Sequence, residues 1–575
     1  MRGSGQVSSL GMAVSISAGE NSQSAMLNGT NVPGRVFRAA STPARRVQRG
    51  FRRAPTAANR LKMQEPPSAR TQDAVFALLS DPASYGLPGA AKIGRHQTHA
   101  AIVFLAGDLA LKVKRAVRYP FLDFSTLEKR KIACEAELAV NRKFAPRLYR
   151  RLVPITREAN GALAVDGAGE PVEWAVEMAR FEEDGTLDRL AERGKLDERL
   201  LAELAVAVAV MHERAEPVEP GKWIGALEGF IGNNSSIFRR HPELFGETAV
   251  VDLERRSRTA LKRLQPLLIE RGEQGLIRRG HGDLHLGNIA VVDGEPIAFD
   301  VLEFDPVIAS GDLLYDLAFL LMGLLDFDRH AAANQVLNGY YAAARRDADY
   351  DGIAALPFFM SLRAAIRAMT TASRLDVTKN AIAQSARRYF DLAAKLLAPA
   401  KPTLLGIGGL SGTGKTVLAR SLAPSLPPAP GALVFRSDIE RKALYGVGEH
   451  ERLPSSAYRA EVSERVYRII IDKAPRVARA GHSAIVDAVF ALAEERAVLK
   501  AAAAAIKVDF RGLFLTADLP TRLQRVGGRA ADASDADAEV ARKQQEYMTG
   551  SVAWTHIDAA GSPAQTLANA RAAVA

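Results

Sequence analysis

The chain has 575 residues, of which 47% are apolar and 25% charged, so it is long enough for two to four globular domains. The longest apolar stretch, Leu313–Phe327, is interrupted by Asp316 and Asp326. It falls short of the roughly 18 apolar residues of a membrane span, so we expect no transmembrane helix. The single cysteine, Cys134, excludes an internal disulfide and a cysteine-based zinc site, which favours a reducing compartment, the cytoplasm.

The positive charge is concentrated at the N-terminus. Residues 1–62 hold ten Arg and Lys side chains against Glu20 alone, a surplus of nine out of the net +11, which leaves +2 for the rest of the chain. The charge therefore requires no nucleic-acid-binding surface on the folded part. Residues 1–66 show no hydrophobic periodicity and are rich in Ser, Gly, Ala and Arg. They are therefore predicted to form a disordered basic leader. It fits an organelle transit peptide, a basic tail for anionic partners, or a start codon misassigned upstream of Met63. The last is favoured, because a clear helical pattern begins just after Met63.

Strand patterns precede helical patterns between the leader and residue 398. A short amphipathic helix is predicted from Thr71, and AAIVFLAGDLALKVKR predicts two strands around a turn at 107–108. A helix is predicted at about 125–144, and further strands at 154–155 and 172–181. Helical patterns at 187–212, at 253–271 and up to about 397 surround a loop with a short strand at 280–300. This order predicts an α+β domain over 67–398.

The segment Ala398–Pro402 is predicted to be a linker, and strands alternate with helices beyond it. The predicted strands lie in TLLGIGG, GALVFRSD, SAIVDAVF, VDFRGLFLTA and WTHID. Alternation of elements of this length predicts an α/β domain over 402–575, with a parallel sheet covered by helices on both faces.

The first of these strands leads through a glycine-rich loop, G-x-x-x-x-G-K-[ST], into a helix. Such a loop lets backbone N–H groups surround phosphate oxygens, and the helix N-terminus adds positive potential. Lys415 is expected to contact the β- and γ-phosphates and the Thr416 hydroxyl to ligate magnesium. We therefore interpret the loop as a nucleotide-binding loop, with ATP and Mg²⁺ as cofactors. The alternative is a glycine turn with an incidental lysine. The predicted nucleotide-binding residues are Gly409, Ser411, Gly412, Thr413, Gly414, Lys415 and Thr416.

Two carboxylates follow the next strands, at the sheet edge where parallel sheets bind their ligands. Asp438 ends GALVFRSD and is placed to accept a proton from an attacking hydroxyl. Asp487 ends SAIVD and is placed to join the magnesium shell. The simpler alternative for each is a helix N-cap.

Three arginines follow the fourth strand at spacings of three and four residues, which places them on one helical face. Arg525 and Arg529 are candidate cations of a lid over the γ-phosphate. A solvated position is favoured for Arg522.

Several short motifs in this half resemble the small P-loop kinases related to gluconate kinase, zeta toxins and polynucleotide kinase. They are SDIERK, VDAVF with Arg496 downstream, LQRVGGR, and SDAD followed by Gln544. The D-x-x-R spacing of Asp438 and Arg441 is similar to the base and arginine of the polynucleotide kinase type. The resemblance covers about 402–575. It implies phosphate transfer to a hydroxyl and names no acceptor.

The first half carries HGDLHLGN, which fits H-x-D-x-x-x-x-N, the catalytic-loop spacing of the protein-kinase fold. Asp283 is expected to orient or deprotonate the acceptor hydroxyl, and His281 to act as a structural buttress. Asn288 and Asp300 are expected to hold magnesium. Asp316 in YDLAF is interpreted as a helix-stabilising core acid.

An upstream strand supplies the expected ATP-phosphate lysine. Lys112 lies on it in LALKVK, and Glu137 in the next helix is the expected ion-pair partner. Lys114 occupies the same strand face, so the assignment between the two lysines stays open.

HGDLHxGN together with YDLAF is similar to the aminoglycoside phosphotransferase-like kinases, which implies a bilobal protein-kinase-like domain. RYPFLDFSTLEKR and LPFFMSLRAAIRA resemble a bacterial subgroup in which such a domain precedes the P-loop domain. In place of a glycine-rich G-x-G-x-x-G loop before Lys112, the sequence has GRHQTHAA. A weakly active or regulatory first domain is therefore an alternative.

The sequence thus predicts a tandem ATP-dependent phosphotransferase acting on a small hydroxylated molecule. In-line transfer would depend on Lys415, the lid arginines and Asp438 as base. One alternative is 5′-hydroxyl kinase activity on nucleic acid, suggested by Asp438 and Arg441 and disfavoured by the near-neutral charge. Another is an ATP-driven switch in which the first domain is a non-catalytic binding module.

Overall fold

The computed structural model describes residues 68–119, 122–303, 305–373, 380–528, 533–547 and 549–574. The predicted basic leader and Arg529 lie outside the described residues. The described residues form a two-lobed kinase-like unit followed by a P-loop α/β unit. Both parts of the expected fold are confirmed.

The first lobe is an antiparallel six-stranded sheet in the order β1-β2-β3-β8-β6-β7. The predicted hairpin turns at Gly107, which has a positive φ of 54°, and helix α2 covers one face of the sheet around Cys134. The elements of this lobe are α1 (Ser68–Leu79), β1 (Gly94–Gln97), β2 (Ala101–Ala106), β3 (Leu109–Lys114), β4 (Arg118–Tyr119), β5 (Leu122–Asp123), α2 (Leu127–Phe144), β6 (Tyr149–Arg157), β7 (Leu163–Val165) and β8 (Glu170–Ala179).

The second lobe is helical, with a short β-hairpin beside the loop that carries Asp283. Helices α4, α7, α8 and α10 bury nearly continuous apolar faces in its core. Its elements are α3 (Leu187–Glu192), α4 (Glu198–Arg214), β9 (Glu216–Pro217), α5 (Pro220–Phe238), α6 (Glu247–Glu273), β10 (Ile277–Arg279), β11 (Ile289–Val292), β12 (Glu295–Ala298), β13 (Ser310–Asp312), α7 (Leu313–Asp326), α8 (His330–Ala344), α9 (Asp349–Gly352), α10 (Leu356–Ala372) and α11 (Asn380–Leu396).

Among the described residues, one helical stretch, Asp349–Ala372, is long and apolar enough to span a membrane. However, 83% of its most apolar window is buried inside the protein. That position is the usual one of a core helix.

The P-loop unit contains a five-stranded sheet in the order β15-β16-β14-β17-β18, with every neighbouring pair parallel. Glycines recur in the central strands because Trp554 packs against them. A Cβ on Gly406 or Gly512 would come within 2.5 or 2.4 Å of its indole ring. The elements are β14 (Thr403–Gly409), α12 (Lys415–Leu422), β15 (Leu433–Arg436), α13 (Ser437–Leu444), α14 (Ala460–Arg479), β16 (Ala484–Asp487), α15 (Ala493–Ala505), β17 (Asp509–Thr516), α16 (Leu519–Gly527), α17 (Ala538–Lys543), β18 (Thr555–Asp558) and α18 (Pro563–Val574).

The two units share a continuous apolar core. Leu433 and Phe435 on β15 belong to the same buried cluster as Leu337 and Tyr350 of the helical lobe. The rings of Tyr350 and Phe435 lie 5.7 Å apart. The linker at 398–402 therefore joins two packed units.

Candidate active sites

Two lysines of β3 and one glutamate of α2 form the floor of the cleft between the kinase-like lobes. The Lys112 Nζ lies 2.7 Å from Glu137 Oε1 and 2.6 Å from Asp300 Oδ1. The Lys114 Nζ lies 2.6 Å from both Glu137 Oε2 and Glu303 Oε1. The expected Lys112–Glu137 pair is present, and Lys114 shares the same glutamate. The sequence did not single out Glu303, whose only signal was its position three residues after Asp300.

The pKa values in this cluster follow from burial and neighbouring charge. Burial acts to lower the pKa of Lys112, but Asp300, Glu137 and Glu303 outweigh it and raise that pKa well above its usual value. Burial acts to raise the pKa of Asp300, but Lys112 outweighs it, so the carboxyl is held below its usual range. Burial raises the pKa of Glu303, and Lys114 offsets this only in part. Both Lys112 and Asp300 are therefore charged at neutral pH.

The loop that carries Asp283 is tied together by its own side chains. The Asn288 Nδ2 donates to the Asp283 carbonyl at 3.1 Å and to its Oδ2 at 3.2 Å. The His281 Nε2 lies 2.9 Å from the Phe299 carbonyl oxygen, beside the segment that delivers Asp300. The structure therefore brings together all three predicted residues, Asp283, Asn288 and Asp300, on one wall of the cleft.

Asp316 does more than stabilise its own helix. Its Oδ2 accepts a hydrogen bond from the His281 N–H at 2.8 Å, and its Oδ1 accepts one from the Gly282 N–H at 3.1 Å. The sequence interpretation as a core acid was correct for its burial. The sequence interpretation missed the hydrogen bonds from Asp316 to the Asp283 loop. Asp316 lies 35 positions after His281 and 34 after Gly282.

The segment GRHQTHAA, which takes the place of a glycine-rich loop before Lys112, forms a compact turn at Thr98. The Thr98 hydroxyl accepts from the backbone N–H groups of Ala100 and Ala101 at 3.3 and 2.9 Å. Arg115 donates to the Thr98 carbonyl at 3.2 Å. Because the turn uses these two N–H groups internally, they are not presented to a phosphate. Lys112 lines the same cleft.

The P-loop has the backbone that its glycines require. Gly409, Gly412 and Gly414 have φ values of 138°, 88° and 89°, a region that other residues rarely adopt. A Cβ on Gly412 would also come within 2.6 Å of the Arg522 carbonyl oxygen. The Lys415 Nζ donates to the Leu410 carbonyl at 3.2 Å across the loop.

The predicted magnesium ligands of the P-loop unit are in direct contact. The Thr416 hydroxyl donates to Asp487 Oδ2 at 2.6 Å. Arg436 Nε lies 3.6 Å from the same Asp487 oxygen. Asp487 is buried with 4% of its surface exposed. A hydroxyl and a carboxylate are donors that Mg²⁺ prefers, and such sites are usually completed by phosphate oxygens. The donor set therefore fits the ion.

Asp438 and Arg441 lie on the wall of the same chamber, which has a volume of about 1020 Å³. Burial and the neighbouring Asp487 raise the pKa of the Asp438 carboxyl. Arg441 is buried, donates to the Ala457 carbonyl at 2.7 Å and lies 4.9 Å from the centre of the Tyr458 ring. The chamber therefore places a carboxylate of raised proton affinity beside the phosphate-binding loop.

The arginines after β17 occupy different environments. Arg522 is 1% exposed and donates to the Ser411 carbonyl at 2.8 Å and to the Ala541 carbonyl at 2.9 Å. The solvated position favoured from the sequence is therefore wrong, because Arg522 links the P-loop to α17. Arg525 lines the chamber and donates to the carbonyls of Ala559 and Gly561 at 2.7 and 2.8 Å.

Comparison with known proteins found one family match and several similar solved structures. The family described as "AAA domain" matches residues 404–551. The crystal structure of a gluconokinase from Sinorhizobium meliloti 1021 is 18% identical in sequence, with a TM-score of 0.22. The match covers 30% of this chain and 95% of the gluconokinase. A choline kinase from Cryptosporidium parvum Iowa II is 8% identical with a TM-score of 0.36, covering 57% of this chain and 95% of that one.

A relative of nearly full length shares both units. The uncharacterized protein Rv2004c of Mycobacterium tuberculosis (strain ATCC 25618 / H37Rv) is 31% identical over 480 residues. The match covers 81% of this chain and 92% of the relative. The two sites and the family match over residues 404–551 support a phosphotransferase of the kinase type. By its identity and coverage, the chain belongs to the same protein family as Rv2004c.

Proposed function

We propose that the protein is an ATP-dependent phosphotransferase that phosphorylates a hydroxyl of a small molecule in its P-loop domain, residues 402–575. One observation carries the proposal. The P-loop, the Thr416–Asp487 pair and the carboxylate of Asp438 line one chamber of about 1020 Å³. The chamber is large enough for a nucleotide and a second small molecule.

Each residue has a role that its position supports. Lys415 and the P-loop N–H groups hold the transferring phosphates. Asp438 accepts the proton of the acceptor hydroxyl as its oxygen attacks the γ-phosphorus, and its raised pKa suits it to that task. Arg441 and Arg525 add positive charge to the chamber wall. Magnesium, held by Thr416 and Asp487, would neutralise the phosphate charge that builds up during transfer.

The kinase-like domain, residues 67–398, is proposed to hold a second nucleotide. Its cleft of about 230 Å³ contains Lys112, Asp283, Asn288 and Asp300, and the last two offer an amide oxygen and a carboxylate to magnesium. Glu137 keeps Lys112 oriented through their 2.7 Å ion pair. Such a set is sufficient for phosphate positioning even where the Thr98 turn replaces a glycine loop.

The charge and the cysteine of the chain bear on its acceptor and on its cellular location. A small-molecule acceptor is preferred to nucleic acid, because the sequence after residue 62 has a net charge of only +2. Cytoplasmic location is part of the proposal and depends on the buried free thiol of Cys134.

Calorimetric titration of the full chain with a non-hydrolysable ATP analogue tests the number of sites. We expect two nucleotides per chain. Lys415→Ala removes one of them, because the lost ammonium contacts only the P-loop phosphates. Asp300→Asn weakens the other, because that carboxylate belongs only to the kinase-like cleft. A metabolite library with labelled ATP then identifies the acceptor, and Lys415→Ala is expected to abolish the transfer catalysed by the P-loop domain.

The outcomes separate the two domains. A stoichiometry of one that is lost with Lys415→Ala and untouched by Asp300→Asn would show that the first domain keeps its fold without nucleotide binding. Normal turnover of the P-loop acceptor by Lys415→Ala would refute the P-loop assignment itself.

A further inference from the structure

A small cavity lies beside Asp283, between helices α5, α7 and α10 of the kinase-like domain. It has a volume of about 30 Å³ and is lined by Phe230, Asn234, Asp283, Tyr315, Ile366 and Arg367, among others. Asp283 also lines the cleft proposed to hold nucleotide. A group bound in the cavity would therefore reach Asp283 from a side other than the nucleotide.

The side chain of Asn234 has unused hydrogen-bonding capacity in this cavity. It is only 3% exposed, yet no described residue hydrogen-bonds to its amide nitrogen or its amide oxygen. Leaving such a group unsatisfied is destabilising, and buried amides in native proteins are nearly always paired. The amide can both donate and accept, so a hydroxyl group is its natural complement.

The charges around the cavity disfavour a cationic ligand. The guanidinium of Arg363 lies 3.8 Å from the centre of the Tyr315 ring and 4.7 Å from that of Phe319. These are the aromatic faces that would otherwise attract an ammonium group. Arg367 also lines the cavity, and Asp283 is the carboxylate on its wall. A neutral ligand meets no net repulsion in this arrangement.

We infer that this cavity is the acceptor subsite of the kinase-like domain and that it takes a compact neutral vicinal diol or polyol. One hydroxyl pairs with the amide of Asn234, and the neighbouring hydroxyl faces Asp283. The volume of about 30 Å³ accommodates one or two water-sized groups, so the cavity takes the end of the acceptor and not a whole sugar ring. The inference rests on the proposed nucleotide binding by this domain.

The transfer step balances with ATP as the phosphoryl donor. The carboxylate of Asp283 takes the proton of the acceptor hydroxyl. The hydroxyl oxygen forms a bond to the γ-phosphorus, and the bond from that phosphorus to the β,γ-bridging oxygen breaks. The products are a phosphate monoester of the polyol, ADP and one proton.

Glycerol is the probe, and choline is its cationic counterpart. Both are tested as acceptors on the full chain carrying Lys415→Ala, in which the P-loop domain is inactive. Phosphorylated products are measured by mass spectrometry and the binding of the ATP analogue by calorimetry. We expect glycerol to be phosphorylated and choline not. Adding Asn234→Ala should lower kcat/KM for glycerol by about tenfold or more, with binding of the analogue and Tm unchanged.

Ser235→Ala is the matched control, because Ser235 is equally buried at 4% exposure on the same helix and does not line the cavity; it should leave glycerol turnover unchanged. Asn234→Ser replaces Asn234→Ala if the latter does not fold. Binding of the analogue without phosphorylation of glycerol, or equal turnover with and without Asn234→Ala, would overturn the inference. Loss of analogue binding in the Lys415→Ala chain would instead show that the proposed nucleotide site, and with it the inference, is wrong.

Discussion

The buried carboxylate of Asp316 connects helix α7 to the main chain that carries Asp283. Besides the two backbone N–H groups that it accepts from, His212 Nε2 lies 3.4 Å and Arg363 Nη2 3.7 Å away. Burial acts to raise the pKa of Asp316, but the hydrogen bond and charge of His212, with the charges of His281 and Arg363, outweigh it and lower the pKa to about 2. The ionised form is therefore the one that the fold stabilises.

This shift predicts a pH-dependent contribution to stability. The folded pKa of about 2 lies below the usual 3.8, so the stabilisation is complete above pH 4 and is lost as the pH falls toward 2. Asp316→Asn should lower the free energy of unfolding at pH 7 by about 2 kcal/mol. Urea titrations at pH 7, 4 and 3 measure this, and the gap between wild type and variant should narrow at pH 3. An equal gap at pH 3 and pH 7 would contradict the ionic role.

Single residues show where sequence reasoning stops. The period of two placed Lys112 and Lys114 on one strand face. The motif spacing found Asp283 and Asn288, and the short strand after the motif found Asp300. The sequence could not divide the two lysines between partners, because Lys114 pairs with Glu303, 189 positions away. Tertiary contacts of that kind leave no local pattern.

Secondary elements were largely predictable, but several helices were missed: α5 in the helical lobe, and α13 and α18 in the P-loop domain. Apolar periodicity and turn residues identified the β2–β3 hairpin and the alternating strands and helices of the P-loop domain. Helix α5 was missed because its sequence, PGKWIGALEGFIGNNSSIF, contains four glycines and two asparagines, which disfavour helix. Burial of Trp223, Leu227, Phe230 and Ile231 along one face stabilises it instead.

The P-loop depends on the neighbouring helix α16 for its shape. Arg522 spans three acceptors, the carbonyls of Ser411 and Ala541 and the Gln545 side chain at 2.9 Å. Lysine keeps the charge but cannot reproduce this planar fork. Arg522→Lys should therefore weaken nucleotide binding at the P-loop by about tenfold, the loss of one or two hydrogen bonds.

Calorimetry in the Asp300→Asn background isolates that effect, since the other site is already weakened. Arg511→Lys is the control, because Arg511 is 45% exposed and pairs only with Asp509 among the described residues. Equal affinities for Arg522→Lys and Arg511→Lys would show that α16 does not hold the loop.

At the scale of the whole molecule, the first domain covers one edge of the second domain's sheet. Strand β15 is one of the two edge strands of that sheet, and Asn338 of α8 pairs with it as a neighbouring strand would. Its Oδ1 accepts from the Val434 N–H at 2.7 Å and its Nδ2 donates to the Ala432 carbonyl at 3.1 Å. The sequence could not predict this contact, because nothing distinguishes an asparagine that binds a strand edge from one on a solvated helix face.

The interface also contains ion pairs, but each contributes less to its stability than the Asn338 contact does. Arg476 of α14 lies 2.9 Å from Asp347 and 2.6 Å from Asp351, whose side chains are 72% and 41% exposed. Exposed pairs contribute about 0–1 kcal/mol. An unsatisfied backbone N–H costs about 1–3 kcal/mol when buried. The amide of Asn338 and the shared apolar core are therefore expected to dominate the coupling of the two domains.

Replacing Asn338 tests that coupling. Asn338→Leu keeps the size of the side chain but leaves the Val434 N–H without its acceptor, so it should destabilise the interface by about 2 kcal/mol. We expect wild type and variant each to unfold in one calorimetric transition, because the shared apolar core remains, and the variant to unfold at a lower temperature. Gln335→Leu is the matched control on the same helix, because its amide donates at 2.6 Å to Glu198 within its own domain. If both variants melt in a single transition at the same temperature, the strand-edge contact does not join the domains, and the shared apolar core alone holds them together.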